Sequence, residues 1–145
     1  MININIKNFS ISNNLPFVLI AGPCVIESEK HSMMIAEELY KICNDVGVNL
    51  IFKSSFDKAN RSSIKSERGV AIDDALKIFK KIKNDLNLPI LTDVHNEDQC
   101  NKLNQDTTID ILQIPAFLCR QTDLLLAAGR TNKIINVKKG QFLSP

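Results

Sequence analysis

Short apolar runs and longer apolar stripes alternate along this chain of 145 residues. The runs, each followed by polar residues or by Gly and Pro, predict strands at 17–21, 48–53, 89–94, 110–114 and 133–138. Apolar residues spaced by three and four predict helices at 28–46, 71–86, 97–103 and 122–128. Ser28 is a suitable N-cap for the first helix, and Gly47 follows its end. The predicted buried stripe of that helix contains Ile35, Leu39, Ile42, Cys43 and Val46.

Strands and helices that alternate at intervals of roughly 25 to 35 residues are typical of βαβ units. The pattern therefore predicts an α/β fold with a parallel sheet. Nothing in the sequence resembles a linker, so residues 1–145 are expected to form one unit. The leading residues 2–6 alternate strictly between apolar and polar, and with Asn13 and Asn14 as turn residues they could form a hairpin outside the main sheet.

The composition is that of an ordinary globular protein, with 44% hydrophobic and 23% charged residues. A net charge of +2 gives no reason to expect a nucleic acid or a membrane surface as a partner. The apolar runs are too short to span a bilayer, and the first residues lack the features of a signal peptide. The four cysteines show neither CxxC spacing nor a Cys/His cluster, so we expect no structural zinc and no disulfides. These features predict a cytoplasmic protein.

Each predicted strand ends in polar residues that a buried strand would otherwise avoid. From the first strand to the fifth they are Cys24, Lys53, Asp93 with His95, Gln113, and Asn136 with Lys138. One such group usually satisfies a local hydrogen bond. Five consecutive strands that end this way predict a single polar basin at the carboxyl edge of the sheet, where α/β barrels place their active sites.

The loop after the second strand concentrates hydrogen-bond donors and positive charge. It carries Lys53, Lys58, Asn60, Arg61 and Ser62. Such a set can position phosphate and carboxylate oxygens as well as attract them. Arg is scarce in this Lys-rich chain, so Arg61 indicates a use for its planar fork. The alternative is a solvated basic loop, but the position directly after a predicted buried strand favours a binding role.

Five motifs resemble those of the 3-deoxy-D-manno-octulosonate 8-phosphate synthases, also called 2-dehydro-3-deoxyphosphooctonate aldolases. They are AGPCVIES at 21–28, FKSSFDKANRSS at 52–63, TDVH at 92–95, LQIPAFLCRQTDL at 112–124 and NVKKGQFLSP at 136–145. The resemblance implies a (β/α)8 barrel, usually tetrameric, of which residues 1–145 would be a partial domain with about the first five strands. It also implies condensation of phosphoenolpyruvate with D-arabinose 5-phosphate, with release of phosphate, on the way to the inner sugar of lipopolysaccharide.

The resemblance further implies a role for each polar residue. Those expected around phosphoenolpyruvate, whose charged groups need several cations in a dry pocket, are Lys53, Lys58, Gln113 and Lys138. Asp93 would bind sugar hydroxyls, and His95 would lie beside the reacting centre. The residues expected to take part in catalysis are Lys58, Asp93, His95 and Lys138.

Two further groups would hold the sugar and reach other subunits. The phosphate of the sugar would be held by Asn60, Arg61 and Ser62. Phe117 and Arg120 would extend toward the site of a neighbouring subunit. From the residues alone, Phe117 would be interpreted as core, and Arg120 as a surface cation at the start of a helix.

Cys24 matches the thiolate ligand of the metal-dependent class of these synthases, so the resemblance implies a divalent metal ion as cofactor. An isolated Cys at a strand end is more often a small buried filler, but within the AGPCVIES motif a ligand is the favoured interpretation. In the family, the remaining ligands are a His, a Glu and an Asp from the other half of the barrel. Cys24 alone cannot form a site with three protein ligands.

The chain departs from the family at two places. After Arg68 it continues Gly-Val, where the family commonly has Gly-Pro-Gly, which could alter the loop without removing a ligand. The chain stops at Pro145, whereas such a barrel has on the order of 250 residues. About three strand–helix units, with an Arg for the phosphate of phosphoenolpyruvate, are therefore expected elsewhere.

Two hypotheses follow from the shorter length. The chain is either the amino-terminal part of an enzyme whose other half is encoded separately or is missing from this sequence, or a non-catalytic remnant that keeps its ligand-binding loops. Within catalysis, the alternative is a sister synthase that uses erythrose 4-phosphate. That synthase usually has a Lys-Pro-Arg-Thr-type loop, which residues 58–62 do not match.

Overall fold

The computed structural model describes residues 3–59, 63 and 68–144. Within these residues a short hairpin precedes five strands that alternate with helices. The strands are β1 (Ile4–Ile6), β2 (Phe9–Ile11), β3 (Val18–Ala21), β4 (Asn49–Lys53), β5 (Ile90–Asp93), β6 (Ile111–Ile114) and β7 (Ile134–Val137). The α-helices are α1 (Glu29–Val46), α2 (Ile72–Leu86), α3 (Glu97–Asn104) and α4 (Thr122–Gly129), and a 3₁₀ helix covers Ala116–Leu118.

Strands β3 to β7 form one sheet in chain order, and each neighbouring pair is parallel. In this register Leu91 lies beside Ile111, and Asp93 lies beside Gln113. Sequential parallel strands joined by helices are the arrangement of a (β/α)8 barrel, here over five of its eight strands. The α/β, barrel-type fold class predicted from the sequence is therefore confirmed.

The outer face of the sheet packs against the helices. Because side chains alternate along a strand, every second residue of β4 to β6 points to this face. These residues join the buried faces of the helices in one apolar cluster, to which the strands contribute Leu50, Phe52, Ile90, Leu112 and Ile114. This cluster fixes the strands, and with them the side chains on the opposite face.

The inner face of the sheet changes character along the strands. Ile51, Leu91 and Ile111 lie on this face and are buried with Ile6 of the hairpin; we call these three strand residues the apolar layer. Two positions further along each strand, on the same face, are Lys53, Asp93 and Gln113, which we call the polar layer. The hairpin thus covers the amino-terminal end of the inner face.

Helix α1 begins and ends where the sequence predicts, and it buries part of the predicted stripe. Ser28 Oγ accepts a hydrogen bond from the His31 amide at 3.1 Å, and Gly47 ends the helix with a φ of 71°. The buried residues of the helix are Ser32, Ala36 and Cys43. Ile35 and Leu39 are half-buried and pack against the apolar cluster, whereas Ile42 and Val46 are exposed. The prediction of a core position was correct for Cys43 and wrong for those two.

The predicted hairpin is present, but its turn is elsewhere. Strand β1 pairs with β2 in antiparallel register, so the turn is formed by Lys7 and Asn8. Lys7 adopts a positive φ of 43° there. Asn13 and Asn14, which were predicted as the turn, lie after β2 on the way to the main sheet. Each strand of the hairpin has three residues.

The outer strands of the sheet are less buried than the central ones. Residues of β3 and β7 are mostly half-buried, whereas every residue of β5 and β6 is buried. Phe17, predicted to begin a buried strand, is 71% exposed and lies just before β3. The difference follows from pairing, because within the described structure each outer strand has a neighbour on one side. In the part of the chain described, no helix has the length and apolar character needed to cross a membrane.

Candidate active site

The turn after β3 brings Cys24 next to the end of β4. Gly22 in this turn has a φ of +157°, and a Cβ there would lie 1.9 Å from the carbonyl oxygen of Lys53. The chain can approach β4 this closely because the residue is glycine. Cys24 is exposed, and its carbonyl oxygen accepts a hydrogen bond from Lys53 Nζ at 3.3 Å. The turn therefore places a thiol and an ammonium group at the same end of the sheet.

Asp93 is a buried carboxylate at the end of β5. Its Oδ1 accepts a hydrogen bond from Ser55 Oγ at 2.5 Å, and Lys53 Nζ donates to the same hydroxyl at 3.1 Å. His95 Nε2 lies 3.5 Å from Asp93 Oδ2. Burial alone would raise the pKa of Asp93, but hydrogen bonds from His95 and Ser55 and the charge of Lys53 outweigh it and lower that pKa. Asp93 is therefore ionised at neutral pH.

His95 lies two residues beyond Asp93, and its side chain is 14% exposed. The ring packs edge to face against Phe56, with centroids 6.1 Å apart. Burial would lower the pKa of His95, but the hydrogen bond and charge of Asp93, followed by Asp57 and Gln99, raise it. The imidazole is therefore protonated to a greater extent at neutral pH than that of an ordinary histidine.

The ends of β3 to β5 and the 3₁₀ helix enclose a cleft of about 520 Å³. Its lining includes Cys24, Lys53, Lys58, Asp93, His95 and Phe117. Two ammonium groups and a histidine of raised pKa outnumber one carboxylate, so the cleft attracts anionic ligands. Phe117, which is 57% exposed, supplies an apolar wall. The structure thus brings together part of the basin predicted from the strand ends.

The remaining basin residues lie toward β7 and do not line this cleft in the described structure. Gln113 is buried at the end of β6, where its Oε1 accepts a hydrogen bond from Asn136 Nδ2 at 3.0 Å. Lys138 follows β7 and is exposed, as is Arg120 before α4. Gln113 is nevertheless beside Asp93 in the sheet register. The two groups are therefore neighbouring parts of one sheet edge.

The loop between β4 and α2 is closed at its base. The Lys58 amide donates to the carbonyl oxygen of Arg68 at 2.7 Å, and the Val70 amide donates to that of Phe56 at 2.9 Å. Arg68 also binds both carboxylate oxygens of Asp57, at 2.7 and 2.9 Å. Arg68 is thus a structural residue in the described part of the loop.

The same loop contains a glycine at a tight approach and the predicted phosphate-binding residues. The residue after Arg68, Gly69, has a φ of +121°, and a Cβ there would lie 2.1 Å from the carbonyl oxygen of Phe56. A glycine therefore suits this position, although the sequence after it departs from the family motif. Asn60, Arg61 and Ser62, predicted to bind the sugar phosphate, lie outside the described residues.

Several site residues were missed by reasoning from the sequence. Ser55, which bridges Lys53 and Asp93, has a weak signal because it lies two positions after Lys53. The sequence indicates Gln99 more clearly, because Gln99 follows the N-cap residue Asn96 by three positions, the spacing of a capping box. The pairing of Asp57 with Arg68 depends on the path of the loop, and no local pattern indicates it.

The described residues do not form a metal site by themselves. They contain no group of three or more His, Cys, Asp or Glu side chains arranged to hold a metal ion. The exposed thiol of Cys24 offers one donor at the cleft. Because a single thiolate does not fix a divalent ion, we derive no chemical step through a metal.

Comparison with known proteins identifies the family. The model of the DAHP synthetase I family matches residues 1–145. The chain belongs to this family. Among its curated relatives, the protein named 2-dehydro-3-deoxyphosphooctonate aldolase from Rickettsia typhi is 54% identical over 142 residues, or 98% of this chain and 51% of the relative. The protein of the same name from Brucella anthropi is 49% identical over 143 residues, or 99% of this chain and 51% of the relative.

These relatives carry the name of the family that the sequence motifs resemble, so that resemblance is confirmed. The chain spans about half the length of the curated relatives it matches.

Proposed function

We propose that this chain supplies part of the active site for the condensation of phosphoenolpyruvate with D-arabinose 5-phosphate. With one water consumed, the products would be 3-deoxy-D-manno-octulosonate 8-phosphate and phosphate, within the synthesis of lipopolysaccharide sugars. The observation that carries this proposal is the meeting of Lys53, Asp93 and His95 in one cleft at the carboxyl ends of the strands. The names of the relatives support the choice of reaction.

The cations of the cleft suit phosphoenolpyruvate. Its carboxylate and phosphate would lie near Lys53 and Lys58, with Gln113 and Lys138 approaching from the side of β7. Lys53 is held by Cys24 and Ser55, so its ammonium group is already oriented before a ligand arrives. An oriented cation loses less conformational freedom on binding than a mobile surface lysine.

The pair formed by Asp93 and His95 suits the sugar aldehyde. When the new carbon–carbon bond forms, the aldehyde oxygen gains negative charge and then a proton. A protonated imidazole beside this oxygen would stabilise that charge and could donate the proton. Asp93 would bind sugar hydroxyls and keep the imidazole protonated, as the raised pKa of His95 indicates.

The sugar phosphate would be bound by Asn60, Arg61 and Ser62. Arg61 offers a bidentate fork for a terminal phosphate, whereas Lys58 is a point charge suited to phosphoenolpyruvate. Arg61→Ala should therefore weaken the use of arabinose 5-phosphate more than that of phosphoenolpyruvate. Steady-state kinetics with both substrates test this assignment. Equal damage toward arabinose 5-phosphate and unphosphorylated arabinose would contradict it.

The proposed activity also depends on the rest of the barrel, on neighbouring subunits and on a metal ion. A complete site would include the carboxyl-terminal half of the barrel, in the same polypeptide or in a fragment partner. The expected assembly is a tetramer in which Phe117 and Arg120 reach a neighbouring subunit. The enzyme would also depend on a divalent metal ion through Cys24, with the other ligands supplied by the carboxyl-terminal half of the barrel. Cys24→Ser should abolish this dependence together with activity, because a serine hydroxyl is a far weaker ligand than a thiolate. Full activity in the presence of a chelator would contradict the metal proposal.

Phosphate release tests the proposed reaction. We would incubate the chain with phosphoenolpyruvate and arabinose 5-phosphate, alone and mixed with the part of the Rickettsia typhi relative that lies beyond the matched residues. The proposal predicts release in the mixture and its loss in Lys53→Met. Parallel reactions with erythrose 4-phosphate should be slower. Binding of phosphoenolpyruvate with no release under any condition would favour the non-catalytic alternative, and faster release with erythrose 4-phosphate would favour the sister activity.

A further inference from the structure

His95 lies beyond the hydrogen-bonded part of the sheet. The last such bond of this segment runs from the Val94 amide to the carbonyl oxygen of Gln113, at 3.0 Å. Two residues, His95 and Asn96, then separate this point from the first turn of α3. The backbone at His95 must therefore be held by some other contact if its ring is to stay beside Asp93.

That contact is made by the side chain of Gln99. Its Oε1 accepts a hydrogen bond from the backbone amide of His95 at 2.7 Å. Gln99 is itself fixed, because its backbone N–H donates to Oδ1 of the N-cap residue Asn96 at 2.9 Å. The two bonds close a compact turn that joins the end of β5 to the helix.

The ring of His95 is also influenced by this turn. Nε2 faces Asp93, while Nδ1 is buried and has no hydrogen-bond partner of ordinary geometry among the described residues. The Gln99 side chain makes the smallest contribution to the raised pKa of His95. The other groups that raise the pKa of His95 are Asp93 from β5 and Asp57 from the loop after β4.

We propose that Gln99 is a positioning residue, which fixes the backbone at His95 so that the imidazole stays beside the Asp93 carboxylate. A glutamine suits this task because its carbonyl oxygen reaches back over one helical turn, as in a capping box. The proposal rests on the proposed function for its catalytic meaning. Its structural content can be tested in the chain without substrate.

Two measurements on the intact chain report on this turn. The first is hydrogen exchange of the His95 amide, which is protected while it donates to Gln99. The second is a pH titration of the His95 ring, followed by NMR in protein labelled at histidine carbon. The chain has two histidines, so the His31→Gln variant assigns the remaining signal.

Three variants separate the alternatives. Gln99→Met keeps the length of the side chain and removes the accepting oxygen, so faster exchange at His95 and a lower midpoint of its titration are expected. Gln99→Glu keeps an acceptor and adds negative charge, so amide protection should be retained and the midpoint should rise. Gln105→Met is the control, because Gln105 is an exposed glutamine at the other end of α3 and should change neither value.

Unchanged exchange and an unchanged midpoint in Gln99→Met would overturn the proposal. If that variant does not fold, Gln99→Glu decides, since an unchanged or lower midpoint there would also overturn it. Neither measurement uses a substrate, so failure of the condensation reaction would count against the proposed function and not against the role of Gln99.

Discussion

The two ends of the inner face of the sheet differ in polarity and in burial, although the same strands form both. The apolar layer, Ile51, Leu91 and Ile111, is sealed by the hairpin. Two residues further along each strand, about 7 Å away, the polar layer of Lys53, Asp93 and Gln113 faces an open edge. The same three strands thus stabilise the fold at one end and carry chemistry at the other, and substitutions in the two layers should have separable effects.

The largest effect on stability is expected in the apolar layer. Leu91→Ala removes a fully buried side chain between the sheet and the hairpin and leaves a cavity. We expect the free energy of unfolding to fall by roughly 3 to 5 kcal/mol, measured by urea denaturation. Leu91→Met, which keeps most of the volume, should cost less than about 1.5 kcal/mol. Equal costs for both variants would mean that the hairpin does not seal this layer.

The next largest effect is expected in ligand binding at the polar layer. Lys53→Met keeps the aliphatic stem and removes a cation of the cleft. Loss of a charged hydrogen bond costs about 2 kcal/mol or more, which is a roughly 30-fold or greater loss of affinity for phosphoenolpyruvate. Isothermal titration calorimetry measures this loss. If Lys53→Met lowers the free energy of unfolding but binds phosphoenolpyruvate as tightly as the parent, the polar layer contributes to stability and not to binding.

A smaller effect is expected from pH, through Asp93 and His95. The folded pKa of Asp93 lies below its ordinary value of 3.8, so its contribution to stability is present above that pH and is lost as the pH falls through the folded pKa. The folded pKa of His95 lies above 6.5, so its contribution is present below that pH and is lost as the pH rises through the folded pKa. Stability should therefore include a component that is largest between about pH 4 and 6.5.

The contribution of this pair can be isolated with one variant. The contact between Asp93 and His95 raises the pKa of His95 and lowers the pKa of Asp93. Asp93→Asn removes the carboxylate and therefore both effects. Urea unfolding measured across the pH range should lose the component described above in this variant. An identical pH profile in both proteins would show that the pair does not contribute.

The smallest effect is expected at the contact between β6 and β7. Asn136→Ala removes the amide that donates to the buried Gln113. The loss should be about 1 kcal/mol, because the outer strand lets water replace the missing donor. Thermal unfolding measures this difference. A loss as large as that of Leu91→Ala would mean that the polar layer is as important for stability as the apolar layer.

The sequence predicts the periodic features of the fold better than the contacts across its loops. Short apolar runs identify strands β4 to β6, and the polar residues at their ends indicate which edge carries the site. The turn of the hairpin was misplaced because Lys7 and Asn8 have no glycine signal, whereas Asn13 and Asn14 look like turn residues. The predicted stripe of α1 was correct for Ile35, Leu39 and Cys43 and wrong for Ile42 and Val46, while hydrophobic periodicity did not indicate the small buried residues Ser32 and Ala36.

The site itself was predictable to the extent that a strand positions it. Lys53 and Asp93 were found because each ends a strand, and His95 because it shares a face with Asp93. Ser55 was missed because its partner, Asp93, is 38 residues away in the chain. Gln99 was missed because its side chain reaches back over one helical turn to the backbone of His95. Pairing of Asp57 with Arg68 requires the loop path, which no periodicity encodes.

The most direct test is to map the binding of phosphoenolpyruvate by amide chemical shifts in the labelled chain. If the polar layer is the substrate-binding end, saturable shifts should appear at Lys53, Asp93, His95 and Gln113, and Lys53→Met should abolish them. The opposite end of the sheet offers a competing basic group, since Lys83 pairs with Asp110 there at 2.8 Å. Shifts confined to Lys83 and its neighbours would contradict the account.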